Sequence, residues 1–171
     1  MKKVEHGKTF DRNAANPPAF EIFHNTVTEG YPEHWHTAIE IIMPTRGEYE
    51  VVVGKDSYNL KEGDIIMINS GVVHGMRFVS QGERIVMLVE PGCVENQEEM
   101  ETIFLRLPAI YFKKEDEEDP FYLFLRSQIL ELVREYDNEG AVMTHRICTG
   151  LKELFSEFGR KGFSDANAQN T

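Results

Sequence analysis

Between Phe20 and Glu90 apolar and polar residues alternate in short runs separated by glycines, the pattern of successive half-buried β-strands. The runs fall at 20–24, 38–43, 48–53, 57–60, 64–69, 74–79 and 83–89, punctuated by Gly30, Gly47, Gly54, Gly63, Gly71 and Gly82. Short strands at this spacing predict a sandwich or barrel. Val53-Gly54-Lys55-Asp56 predicts a tight hairpin, because glycine supplies the positive φ such turns require.

After Pro91-Gly92 the apolar period changes to that of a helix. Asn96 and Glu99 form a capping-box pair ahead of Met100, Ile103, Phe104 and Leu107, and Pro108 stops the run. A second helix starts at Asp119-Pro120 and presents Phe121, Phe124, Leu125, Ile129, Leu132, Val133 and Tyr136 on one broad face. A third carries Ile147, Leu151, Leu154, Phe155 and Phe158 and is expected to end at Gly159. The expected organisation is therefore an N-terminal arm over 1–19, a barrel over 20–92, a helical appendage over 93–160 and a flexible tail or linker over 161–171. The apolar faces of the second and third helices look broader than one barrel covers, so a homodimer through them is expected.

Composition narrows the function. A chain of 171 residues with 41% hydrophobic and 27% charged residues is ordinary for a globular domain. Its net charge of −11, without a Lys/Arg stripe, argues against direct nucleic-acid contact by these residues. No apolar stretch approaches the ~18 residues of a membrane span and no signal-peptide core follows Met1, so a cytoplasmic location without membrane contact is expected. Cys93 and Cys148 lack metal-ligand spacing and read as free thiols in a reducing compartment.

The chemistry concentrates in His34, His36 and Glu40, with His74 further along. The first three share parity, so on an extended strand they point to one face and Trp35 to the other. Three imidazoles and a carboxylate make a ligand set for a divalent metal, or a polar cluster gripping a ligand's hydroxyls. Met43, Met67, Met76 and Met87 read as core filler, with Met76 on the parity of His74 and so able to line a cavity. His6, His24 and His145 read as surface or packing residues, and the acidic run 115–119 as a solvated loop.

Written out, His34-Trp35-His36, three residues, Glu40, six residues, Gly47, and then Gly63, five residues, Asn69-Ser70-Gly71, two residues, His74, resemble the two sequence blocks of the cupin superfamily. Asn69 stands where the second block usually has proline, and Phe78 where it ends in asparagine. The resemblance implies a mainly β fold, a cupin-type double-stranded β-helix barrel followed here by C-terminal α-helices. It also implies a metal on His34, His36, Glu40 and His74, with Zn, Ni, Mn or Fe as the transition metals such donors take. The stretch His34 to Ile42, with Asn59-Leu60-Lys61-Glu62-Gly63-Asp64 and Ile68 to His74, is similar to the N-terminal domain of AraC-type transcriptional regulators. That likeness implies a small-molecule effector, frequently a sugar in this family, and dimerisation through trailing helices. DNA would be reached only through a C-terminal helix-turn-helix domain missing from these residues. The rival expectation is a free-standing metal-dependent cupin enzyme: a dioxygenase, isomerase or decarboxylase.

Overall fold

The computed structural model describes residues 19–26, 30–93, 107–116, 118–138 and 140–161. The strands are β1 (Phe20–Asn25), β2 (Tyr31–His34), β3 (Ile39–Arg46), β4 (Tyr49–Val53), β5 (Asp56–Leu60), β6 (Ile65–Ile68), β7 (His74–Phe78), β8 (Glu83–Val89) and β9 (Ala109–Phe112). Two helices follow, α1 (Pro120–Asp137) and α2 (Met143–Lys161). The strands form two antiparallel sheets, ordered β1-β8-β3-β6-β9 and β2-β7-β4-β5. From β1 to β8 every connection crosses between the sheets except the β4–β5 hairpin, so the fold is the mainly β barrel with trailing helices that the sequence predicts. In that hairpin Val53 pairs with Asp56 and Gly54 has φ 60°, as the turn requires.

Alternation sorts the strand residues into two cores. Ile39, Ile41, Met43, Ile65, Met67, Ile85, Met87 and Val89 point outward from the five-stranded sheet, into one cluster with Tyr122, Leu125, Ile129, Leu132, Ile147, Leu151, Leu154, Phe155 and Phe158 of the helices. Ile42, Ile66 and Ile68 point inward and meet Tyr49, Val51, Val53, Leu60 and Met76 of the other sheet. Three of the four methionines thus fill the helix-facing core, while Met76 lines the barrel interior. The helices cross closely at Gly150, where a Cβ would stand 2.9 Å from the Leu132 Cδ2.

The start of α1 is as expected: Asp119 caps it, accepting from the Phe121 N–H at 2.8 Å, and Pro120 opens the first turn. Four details differ from the sequence reading. Strand β2 was not foreseen, since Pro32 and three exposed positions hide its alternation. Strand β9 adds to the five-stranded sheet from the stretch between the first two predicted helices, to which the sequence reading assigned no element, pairing Ile110 with Met67. Tyr122 is buried and donates to the Gly63 carbonyl at 2.8 Å, tying α1 to the turn before β6. Helix α2 runs on to Lys161, because Gly159 keeps helical φ instead of the left-handed value of a C-cap. Residues 1–18 of the expected arm, the first predicted helix up to residue 106 and the tail beyond Lys161 lie outside the described residues. Cys93 and Cys148 are free thiols with Sγ atoms 3.5 Å apart, and burial together with that contact pushes Cys93 up to about 12.

Candidate metal centre

The four singled-out residues converge, although not from one strand. His34 ends β2 in the four-stranded sheet, His36 lies in the connection, Glu40 is the second residue of β3 in the five-stranded sheet, and His74 opens β7 opposite His34. Residues 35–38 lie between strands β2 and β3, with a bend at 37–38, which corrects the single-strand premise of the parity argument. The side chains meet because the chain turns the corner between sheets there. Ala38 is buried at that corner, while Trp35 points away and is 53% exposed. Gly71, at φ 74°, donates its N–H to the His36 carbonyl at 2.8 Å and seats the loop before His74 against the connection. Asn69 starts that loop, its Oδ1 accepting from the Ser70 N–H at 2.7 Å. Gly75 lets β2 approach β7 beside His74, since a Cβ there would meet the Glu33 nitrogen at 3.1 Å. His24, by contrast, lies beside Glu83 at 3.9 Å, and His145 is exposed on α2.

One ligand atom from each of His34, His36, Glu40 and His74 lies within 4.8 Å of the others. Each ring has its Nδ1 against a backbone carbonyl: His34 on Pro32 at 2.9 Å, His36 on Ala38 at 2.9 Å and His74 on Val72 at 2.8 Å. Donation from Nδ1 puts the proton of a neutral imidazole there and leaves Nε2 as a lone pair. The Nε2 atoms of His36 and His74 face the same Glu40 Oε2, at 2.9 Å and 3.1 Å. A lone pair against a carboxylate oxygen at that separation repels, so a cation, a proton or a metal ion, belongs between them. Burial pushes the Glu40 carboxyl up, but the bonds from His36 and His74 and their charge outweigh it and hold Glu40 at about 2. Burial likewise pushes His74 down, and its bond to Glu40 more than reverses this, so its pKa is raised. The donor set, with carbonyls fixing each ring, could hold a divalent transition metal.

Sequence reasoning missed Arg84. It lies on β8 with the parity of inward-facing Val86 and Leu88, is 1% exposed, and places its Cζ 4.7 Å from the centroid of the Tyr49 ring. The alternation of 83–89 carried the signal, since it puts residue 84 on the barrel's inner face.

Residues 25–90 match the model of the Cupin_2 family, the cupin domain, and the fold is a cupin barrel. Among solved structures, an apo form of ToxT from Vibrio cholerae is 11% identical and aligns over 85% of this chain and 58% of that one, with a TM-score of 0.57. ToxT is an AraC-family regulator, so at the level of fold the likeness drawn from the sequence holds. This chain accordingly spans less than two thirds of ToxT's length. A single-residue mutant of Bacillus subtilis oxalate decarboxylase is 18% identical over 42% of this chain and 21% of that one, with a TM-score of 0.39. The SPY1581 protein of Streptococcus pyogenes is 17% identical over 53% of this chain and 94% of that one, with a TM-score of 0.41. Among curated proteins none matches. Among the described residues no helix is long and apolar enough to cross a membrane.

Proposed function

We propose that this chain is the small-molecule-sensing domain of an AraC-type transcriptional regulator. The observation that carries the reading is the extent of the unit: the likeness to ToxT runs over 85% of the chain, and the two helices are sealed onto the barrel through one continuous core. In this reading the effector enters the barrel, a cytoplasmic regulator responds, and DNA is contacted by a separate helix-turn-helix domain. His34, His36, Glu40 and His74 hold a divalent metal such as Zn, Ni, Mn or Fe, which would supply a fixed positive charge on which a polar effector can be oriented. The chain's own part is done by the carbonyls of Pro32, Ala38 and Val72, which aim the three rings.

A homodimer through the helices remains part of the proposal on narrower grounds. Most of the apolar surface expected to be surplus is absorbed by the five-stranded sheet, leaving Leu123 and Leu130 of α1 and Val142 exposed. Light scattering finding a monomer at high concentration removes this element alone.

A second reading, a metal-dependent cupin enzyme, is favoured by the metal-ready rings. The experiment that separates the two is a thermal-shift screen of small polar molecules followed by product analysis of each hit. Sensing predicts stabilisation with the compound recovered unchanged; metal-dependent conversion of the hit rejects sensing. Elemental analysis of purified protein tests the metal, with near-stoichiometric content expected and lost in His36→Ala.

A further inference from the structure

Among the described residues Arg84 is the one buried guanidinium or ammonium group, and no carboxylate among them forms an ion pair with it. Its Nε and Nη1 are buried without a hydrogen-bond partner, and the guanidinium lies over the ring of Tyr49. Arginine keeps its charge in any protein interior, so this is a desolvated cation with open N–H groups. Stacking on Tyr49 returns only part of the desolvation cost, and leucine or methionine would fill the space without incurring it. Water could satisfy an N–H but brings no opposite charge. Burial lowers the pKa of Arg84, opposed first by the charge and hydrogen bonding of Tyr49 and then by the charge of Glu40, so the guanidinium feels the carboxylate of the His/Glu cluster. That carboxylate is already engaged, its Oε2 shared by His36 and His74.

We propose that the barrel interior binds a small organic acid whose carboxylate pairs with Arg84. Guanidinium and carboxylate match in shape as well as charge, so the open N–H groups and the missing negative charge are supplied by one ligand group. Register gives the scale: Arg84 pairs with Pro44 and Leu88 with Glu40, four residues apart, which is about 13 Å along the strands. The arginine side chain covers part of that span, so an acid of a few carbons held on Arg84 brings its far end toward the His/Glu cluster. At 1% exposure the guanidinium is enclosed, which selects a free small molecule over the side chain of a partner protein. This inference rests on the reading of the barrel as a small-molecule site, and it replaces a neutral sugar with an anion.

The test uses the full chain with acetate, benzoate and succinate as probes, each against its amide at matched ionic strength, read by thermal shift and calorimetry. At least one acid should bind while its amide does not, and Arg84→Met should weaken that binding about ten- to hundredfold, the range of a charge-assisted hydrogen bond. Without acid, Arg84→Met should be at least as stable as the parent, whereas a merely structural arginine would leave it destabilised. If the variant does not fold, the Nε–H resonance of Arg84 in the parent protein serves instead, and should move on adding the acid. No binding by any of the three acids, undiminished binding to a folded Arg84→Met protein, or an unmoved Nε–H resonance overturns the proposal. The sensing reading fails separately. Stabilisation by neutral polyols but not by acids removes Arg84 and keeps sensing, while an acid that binds through Arg84 and is converted to product keeps Arg84 and removes sensing.

Discussion

The two sheets are built from similar strands and live in different surroundings. In the five-stranded sheet β3 is buried from Ile39 to Pro44 and β6 throughout, because α1 and α2 dry one face and the barrel interior dries the other. In the four-stranded sheet β4 alternates between buried and half-buried positions and β5 is mostly exposed, so only its inner face is dry. The donor cluster draws on both: Glu40 is fixed in the doubly covered sheet, while His34 and His74 come from the sheet open to solvent. Stability therefore belongs mainly to one sheet, and the candidate chemistry lies at the seam where it meets the other.

The comparison breaks most visibly in the helical cover. Phe158→Ala should cost about 3–5 kcal/mol by chemical denaturation, as expected for a fully buried aromatic, whereas Val52→Ala on the outer face of the four-stranded sheet should cost under about 1 kcal/mol. Equal losses would mean that the helices do not seal the sheet.

Asp64 offers the next test. It is buried and accepts from the Lys61 N–H at 2.9 Å, the Lys114 N–H at 2.8 Å and the Tyr111 hydroxyl at 2.7 Å, binding the start of β6 to the end of β9. Asp64→Ala strands these donors and should cost about 3 kcal/mol, measured in the same way.

A metal at the seam should join the sheets. At a free-ion concentration one hundred times the dissociation constant it should add about 2.7 kcal/mol to stability, and Glu40→Gln should lose most of that gain in a melting titration.

The response to pH should separate the metal-free from the loaded protein. Glu40 lies below its ordinary 4.5, so its contribution is present above that value and lost as pH falls toward about 2. His74 lies above its ordinary 6.5, so its contribution is complete below that value and lost as pH rises through the raised pKa. With respect to these groups the metal-free chain is most stable between about 4.5 and 6.5. Metal binding displaces the protons and should strengthen as pH rises over the same upper range. Denaturation midpoints across pH, with and without metal, should diverge at the alkaline end; parallel profiles would remove the exchange of the His74 proton for metal.

How far the sequence could be read follows the same division. Short apolar runs between glycines located the strands of the covered sheet, apart from β9, and the 3.6-residue period located five buried residues of α2, because each faces a continuous apolar surface. Strand β2 was illegible because three of its four residues are exposed and the second is Pro32, so burial left no mark on the pattern. Strand β9 was overlooked because its four residues, following Pro108, are too few to show a period against the helical pattern on either side. Tyr122 sits off the stripe counted for α1, and its burial depends on the Gly63 carbonyl, a tertiary partner that no local pattern contains. The four donors were found through their types and intervals; what brings them together is a corner between sheets, visible only once the strands are placed.

The spacing of those donors also bears on the order of folding events. His34, His36 and Glu40 lie within one short segment, whereas Glu40 and His74 are 34 residues apart, so the first three can begin to share an ion before any barrel exists, while the fourth waits for a long loop to close. An ion added to the unfolded chain would then find a partial site, which reduces the equilibrium gain from loading. Its larger effect should fall on the rate at which the finished barrel opens: releasing His74 from a bound ion must precede separation of β7 from β2, and that contact is made late, where stabilisation slows unfolding more than it speeds folding.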